Sequence, residues 1–251
     1  MRKPLIAGNW KMFKTPQEAA AFFDAFLPLV AGHTRDEIAI YPSITSLPTA
    51  LDKTAGSNVL IGAQTMHWLD EGAYTGETSA TQLLAIGCQR VLLGHSETRQ
   101  YFGETSERVN LKLKAAIAHN LSPIVCVGES HVERDGGRTE KVLREQISIA
   151  LLDIKPDEAH NLVIAYEPLW AIGSGQSATP EQAAESHSMI RHEISKDLGT
   201  AFANSVRVLY GGSVKPDNIA ALMSQEEIDG ALVGGASLDP HGFARVVQYS
   251  S

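Results

Sequence analysis

Leu162-Val163-Ile164-Ala165-Tyr166-Glu167-Pro168-Leu169-Trp170-Ala171-Ile172-Gly173-Ser174-Gly175-Gln176-Ser177-Ala178-Thr179-Pro180-Glu181 holds one whole folding unit. Leu162–Tyr166 is apolar at successive rather than alternate positions, the pattern of a parallel strand buried on both faces. Thr179-Pro180-Glu181 reads as a helix start, with a capping hydroxyl followed by proline, whose missing N–H costs nothing in the first turn. The helix then runs over Gln182–Leu198, and Gly199 is a stop. Strand, loop and helix in that order make a βα unit.

The same rhythm extends outward to both ends of the chain. Further strand-like runs are Leu5–Asn9, Ile38–Tyr41, Val59–Gly62, Val91–Gly94, Ile124–Val127, Val206–Tyr210 and Gly230–Val233. Thr15-Pro16 opens a helix over Ala19–Leu29, Thr105-Ser106-Glu107 opens one reaching about Asn120, and Lys215-Pro216-Asp217 resembles the device more weakly. Gly32 and Gly87 are further stops. Eight such units in 251 residues, about 31 each, predict an α/β fold, a closed (β/α)8 TIM barrel of eight parallel strands and eight helices. An open doubly wound sheet is the alternative, but Gly8-Asn9-Trp10-Lys11 follows the first strand where G-x-G-x-x-G would stand. With no linker-like or low-complexity stretch, residues 1–251 read as a single catalytic domain.

Composition narrows the functions. The chain carries 21 Lys+Arg against 29 Asp+Glu, a formal charge of −8, which argues against nucleic acid or an anionic membrane as the main partner. Cys88 and Cys126 form no CxxC pair, and Cys126 lies in an apolar run, so each reads as a small buried hydrophobe. The first residues hold too short an apolar run for a signal peptide, and no segment approaches the ~20 apolar residues of a membrane span. A soluble, cytoplasmic protein is expected.

In a barrel the carboxyl ends of the strands share one mouth, where catalytic groups collect. This sequence places Asn9-Trp10-Lys11, His95-Ser96-Glu97, Glu167-Pro168, Gly211-Gly212-Ser213 and Gly234-Gly235 there. Singly, each has an ordinary reading as a solvated charge, a structural histidine or a turn. Jointly, a cation, an imidazole, a carboxylate and two glycine-rich exits converge on one cavity. Glycines let backbone N–H groups approach an oxyanion, Ser213 adds a hydroxyl, and Gly173 could add a further N–H. The substrate class predicted is therefore a phosphate ester, with Lys11 as its counter-charge. The eleven residues between Glu167 and Thr179 are long for a βα connection and look like a lid, with Trp170 and Ile172 as its apolar part. Metal chemistry finds no support: HExxH is absent, and His187 and His192 stand five apart on a predicted helix. No metal or cofactor is expected.

Ala7-Gly8-Asn9-Trp10-Lys11-Met12, Gly94-His95-Ser96-Glu97, Ala165 to Gly173, Tyr210-Gly211-Gly212-Ser213-Val214 and Leu232-Val233-Gly234-Gly235-Ala236 together resemble the triosephosphate isomerase family, in order and over the whole chain. The resemblance implies interconversion of dihydroxyacetone phosphate and D-glyceraldehyde 3-phosphate through an enediolate, in glycolysis and gluconeogenesis. It implies Glu167 as the proton-transferring base, His95 as a neutral imidazole polarising the carbonyl, and Asn9 and Lys11 as enediolate stabilisers. Glu97 resembles the partner of that lysine, while Gly173, Ser213, Gly234 and Gly235 would hold phosphate. Pro168, Trp170, Ile172 and Leu232 would form the lid and the water-excluding walls around Glu167. The family also inserts the long loop Gln64–Glu77 into a second subunit, which implies a homodimer with Thr75 buttressing the partner's Asn9 and Lys11. Departures from the common pattern are Leu169, Ser174, Gln176-Ser177 and Phe13-Lys14. Other phosphate-binding barrel enzymes, or a barrel that only binds a phosphorylated metabolite, are the competing readings. Glu167 is the discriminator, since plain phosphate binding has no use for a carboxylate.

Overall fold

The structure is a computed structural model that describes residues 2–172 and 177–250. Its strands are β1 (Leu5–Asn9), β2 (Glu37–Tyr41), β3 (Val59–Ile61), β4 (Arg90–Leu93), β5 (Ser122–Val127), β6 (Val163–Tyr166), β7 (Arg207–Tyr210) and β8 (Gly230–Val233). All neighbours pair in parallel in the order β3-β2-β1-β8-β7-β6-β5-β4. A bridge between Ala63 and Val91 joins the two ends of that order, so the sheet closes on itself as the barrel that the repeats predict.

Between the strands run α1 (Pro16–Val30), α2 (Leu47–Thr54), α3 (Ala80–Ala85), α4 (Ser96–Phe102), α5 (Ser106–Ala118) and α6 (His131–Asp135). They are followed by α7 (Thr139–Ala150), α8 (Pro180–Leu198), α9 (Thr200–Ser205), α10 (Ile219–Met223) and α11 (Pro240–Val247). The predicted count of eight helices is thus corrected to eleven among the described residues, because single crossovers break into two pieces. The break after α4 has a local cause: Gly103 takes the left-handed conformation (φ 65°) and Thr105 then caps a new helix at Arg108 N–H. Thr15 and Thr179 cap as the sequence predicts, each completing a reciprocal box with Glu18 or Gln182. The weaker Lys215-Pro216-Asp217 signal does not cap. There Asn218 Oδ1 accepts from Lys215 N–H, and the helix starts at Ile219. No helix among the described residues is long and apolar enough to cross a membrane.

Alternation along each strand builds two apolar layers. Leu5, Ala7, Ala39, Cys126, Ala165, Leu209 and Leu232 fill the barrel interior, where alanines opposite leucines let side chains from all sides meet. The intervening residues, such as Ile6, Ile38, Val125, Ile164 and Val208, pack outward against the helices. Register sets the height of the rim. Gly8 stands opposite Val233, Val127 opposite Tyr166 and Tyr166 opposite Tyr210, so Asn9, Glu167 and the exits of β7 and β8 emerge at one level.

One buried titratable side chain lies under this frame. His187 of α8 is fully buried, with Nδ1 3.1 Å from the Glu227 carbonyl and its ring edge-on to Tyr166. A carbonyl only accepts, so Nδ1 carries the hydrogen. Burial, with the Arg191 charge adding to it, pushes the imidazole from 6.5 down to about 3. The unfolded chain therefore takes up a proton near pH 6.5 that the folded chain refuses until about 3. Stability from this residue is complete above that window and falls by roughly 1.4 kcal/mol per pH unit on descending through it. Urea denaturation at a series of pH values should show this slope in the wild type and lose it in His187→Gln. Equal slopes in both would refute the assignment.

Candidate active site

β1 ends on Asn9, which is buried, and its Oδ1 accepts from Lys11 N–H at 3.0 Å. That turn places Lys11 in the left-handed region (φ 52°), a costly conformation for a residue with a Cβ. Gln64 Nε2 holds it there by donating to the carbonyls of Lys11 (2.8 Å) and Tyr41 (2.9 Å). The lysine then reaches across the rim, where Nζ meets Glu97 Oε1 at 2.6 Å. A methyl group placed on Gly234 would lie 3.9 Å from Nζ, so the ammonium sits directly against the β8 exit.

β4 delivers His95 as the N-cap of α4. His95 Nδ1 accepts from Glu97 N–H at 3.2 Å, while Glu97 Oε2, at 3.6 Å, is too far to bond. An accepting Nδ1 leaves the proton on Nε2, and Nε2 points at Glu167 Oε1, 3.0 Å away. The helix start supplies two more donors to the same carboxylate: Ser96 N–H to Oε2 at 2.8 Å and Ser96 Oγ to Oε1 at 2.9 Å. Glu167, buried after β6, thus has both oxygens engaged by one turn of chain. It fits because β7 exits on a glycine. A Cβ on Gly211 would stand 2.9 Å from Glu167 Cγ and 3.0 Å from the Tyr166 carbonyl. Beneath it, burial and the Glu167 charge push the Cys126 thiol well above its ordinary range, so it stays a thiol.

These groups open on a cavity of about 450 Å³. Asn9, Lys11, His95, Glu167, Ser213, Gly234 and Gly235 line it, with Ile172 and Leu232 as apolar walls. Every described residue proposed for the chemistry thus borders one space except Glu97, which stands behind Lys11. Gly173, Ser174 and Gln176 lie outside the described residues. One detail of the glycine reading is corrected. Gly211 N–H is spent on the Tyr166 carbonyl at 2.7 Å, extending the sheet, and cannot point at an anion. Pro168 is buried, and Trp170 Nε1 donates to Glu129 Oε1 at 3.0 Å beneath the Arg134 guanidinium. Thr75 lies exposed at the tip of its loop, away from this chain's own cavity.

The family model for triosephosphate isomerase matches residues 4–250. The chain belongs to the triosephosphate isomerase family. Among the relatives that carry the name triosephosphate isomerase, the protein of Solibacter usitatus is 51% identical over 249 residues, covering 99% of this chain and all of the relative. The protein of Citrifermentans bemidjiense is 50% identical over 250 residues, with both chains covered in full. The protein of Thermoanaerobacter sp. is 49% identical over 249 residues, again spanning the whole relative.

Sequence reasoning quoted Ser96 without giving it a role and passed over Glu129. The signal for Ser96 was its position, two residues past a predicted strand end, where a helix start exposes free N–H groups. A buried hydrogen bond to a carboxylate contributes about 1.5–3 kcal/mol, so Ser96→Ala should lower the unfolding free energy by about that much. Denaturant titration is the measurement, and a loss under ~0.5 kcal/mol, the usual surface range, would contradict the hydroxyl's share in holding Glu167.

Proposed function

We propose that this chain interconverts dihydroxyacetone phosphate and D-glyceraldehyde 3-phosphate, with Glu167 moving a proton between C1 and C2. The observation that carries this reading is the facing pair of Glu167 carboxylate and His95 Nε2–H on one cavity that also holds Lys11 and two glycine-rich turns. With the phosphate against Ser213, Gly234 and Gly235, the triose carbons fall between Lys11 and Glu167. Glu167 leaves Ser96, takes the proton from C1, and the C–H electron pair becomes the C1–C2 double bond. The carbonyl pair moves onto O2, where the His95 Nε2–H and the Lys11 ammonium stabilise the negative charge. The hydroxyl proton passes from O1 to O2 by way of the His95 imidazole; the O1 pair then forms the C1 carbonyl while the C1–C2 double-bond pair takes the proton back from Glu167 at C2, which yields the aldose. Ile172 and Leu232 keep water away, which protects the enediolate. Asn9 holds the Lys11 turn, and Glu97 anchors the lysine from behind.

Two substitutions separate the roles. Glu167→Gln should keep affinity for 2-phosphoglycolate and lower kcat by at least ~10²-fold, the share of a general base. Lys11→Met should abolish most of that affinity in calorimetry. A Glu167→Gln variant with wild-type turnover, or a Lys11→Met variant with wild-type affinity, would reject the corresponding role.

The active form proposed is a homodimer. Met12, Phe13, Tyr101 and Phe102 expose large apolar surface, which favours association. The loop after β3 is a built feature, with the His67 ring stacked on Trp68 (4.0 Å) and tilted against Tyr74 (4.1 Å), and it presents Thr75 for insertion into a second copy. Sedimentation at micromolar concentration should give twice the chain mass, and a monomeric mass rules the pairing out.

A further inference from the structure

Arg99 lies on α4, one turn past His95, and no step of the chemistry above uses it. Its guanidinium donates from Nε to the Gly94 carbonyl at 2.8 Å, from Nη2 to the Cys126 carbonyl at 3.1 Å and from Nη1 to Ser106 Oγ at 3.1 Å. Those acceptors belong to the exit of β4, to β5 and to the first residue of α5. One planar fork therefore ties together the three segments around the His95 turn, a geometry that a point-charge ammonium cannot reproduce.

The Gly94 carbonyl is the one that decides the orientation. It belongs to the peptide that leads directly into His95, and Gly94 adopts φ 69°, where only a glycine turns freely. A Cβ there would come within 2.6 Å of Val109 Cγ2 and 2.9 Å of Arg99 Nη2, so backbone and guanidinium are packed against each other. Fixing this peptide fixes the start of α4. The start of α4 in turn directs His95 Nε2 and both Ser96 donors toward Glu167.

A second cavity, of about 540 Å³, is bordered by Ser96, Arg99, Cys126, Gln146 and Glu167 itself. Glu167 borders both spaces. This second cavity is open volume beside the Arg99 side chain. The same opening gives a free guanidinium ion a way in.

We propose that Arg99 is a positioning residue for the isomerase reaction, holding the Gly94–His95 peptide so that His95 and Ser96 face Glu167 correctly; this rests on the functional reading above. Small misplacements by groups remote from the chemistry can cost roughly 10²-fold in rate. Arg99→Ala and Arg99→Lys should each lower kcat by about that factor, while KM and the affinity for 2-phosphoglycolate stay within a few-fold. Millimolar guanidinium should restore part of kcat to Arg99→Ala and leave the wild type unchanged. Arg99→Lys serves where the alanine variant folds poorly, since it keeps the charge and the stem but lacks the fork. Unchanged kcat in both variants, full activity in Arg99→Lys, or a loss in Arg99→Ala that guanidinium does not relieve would each overturn the inference. A wild-type protein without triose phosphate turnover overturns the functional reading instead, so the two failures are told apart.

Discussion

The organisation of the rim turns on the buried Glu167 carboxylate. Glu167 brings a carboxylate out of water, and an unpaired charge in such a place costs several kcal/mol. Two adjacent residues meet that cost: Ser96 through its N–H and hydroxyl, and His95 through Nε2–H. The donors are available because α4 begins there, and the first turn of a helix has N–H groups with no partner inside it. The carboxylate has room because β7 leaves the sheet on Gly211, where any side chain would collide with it. Strand end, helix start and glycine are separate local choices that only this charge makes interdependent.

Parallel pairing then explains why residues so far apart in sequence can serve one space. Lys11 and Glu97 are 86 positions apart and Ser96 and Glu167 are 71 apart, yet both pairs meet within hydrogen-bonding distance. In a closed parallel sheet every strand points its carboxyl end the same way, so a residue placed one position past any strand arrives at the same rim. The register pairs Val127 with Tyr166 and Tyr166 with Tyr210, which aligns those exits to within a residue. The convergence of side chains at the rim is therefore largely a consequence of strand length.

That consequence accounts for what could be read without coordinates. β1 and β8 run over Leu5–Asn9 and Gly230–Val233 in structure as in sequence, because a strand buried on both faces announces itself as an unbroken apolar run. Asn9, Lys11, His95, Glu167 and the glycine exits were legible for the same reason, since each ends or follows such a run. Ser96 was harder. Its role depends on where a seven-residue helix starts, and Ser96-Glu97-Thr98-Arg99 carries no proline and no apolar period to mark that start. Glu129 and Arg99 were harder still. Their partners are backbone carbonyls and side chains from distant elements, and hydrogen bonds to carbonyls leave no trace in residue type. Gly211 illustrates the opposite error: its residue type suggested an anion-binding N–H, whereas the sheet had already claimed that donor.

Two glutamates stand near this rim with almost no exposure, and they differ in the partners that hold them. Glu129 gathers Tyr166 Oη, Trp170 Nε1 and Arg134 Nη1 on one oxygen, each at 3.0 Å, and is absent from the substrate cavity lining. A guanidinium that never deprotonates neutralises it, which suits a residue that holds a loop in place. Among the described residues Glu167 forms no ion pair with lysine or arginine, and its donors are a backbone amide, a hydroxyl and an imidazole. Such donors hold a carboxylate without cancelling its charge, and they can be exchanged for others at little electrostatic cost. Arg99 and Lys11 flank this arrangement without joining it, one spent on backbone carbonyls and the other on Glu97. Both cations are occupied elsewhere, and that occupation leaves the Glu167 carboxylate buried at the rim with only neutral donors and the His95 imidazole as partners.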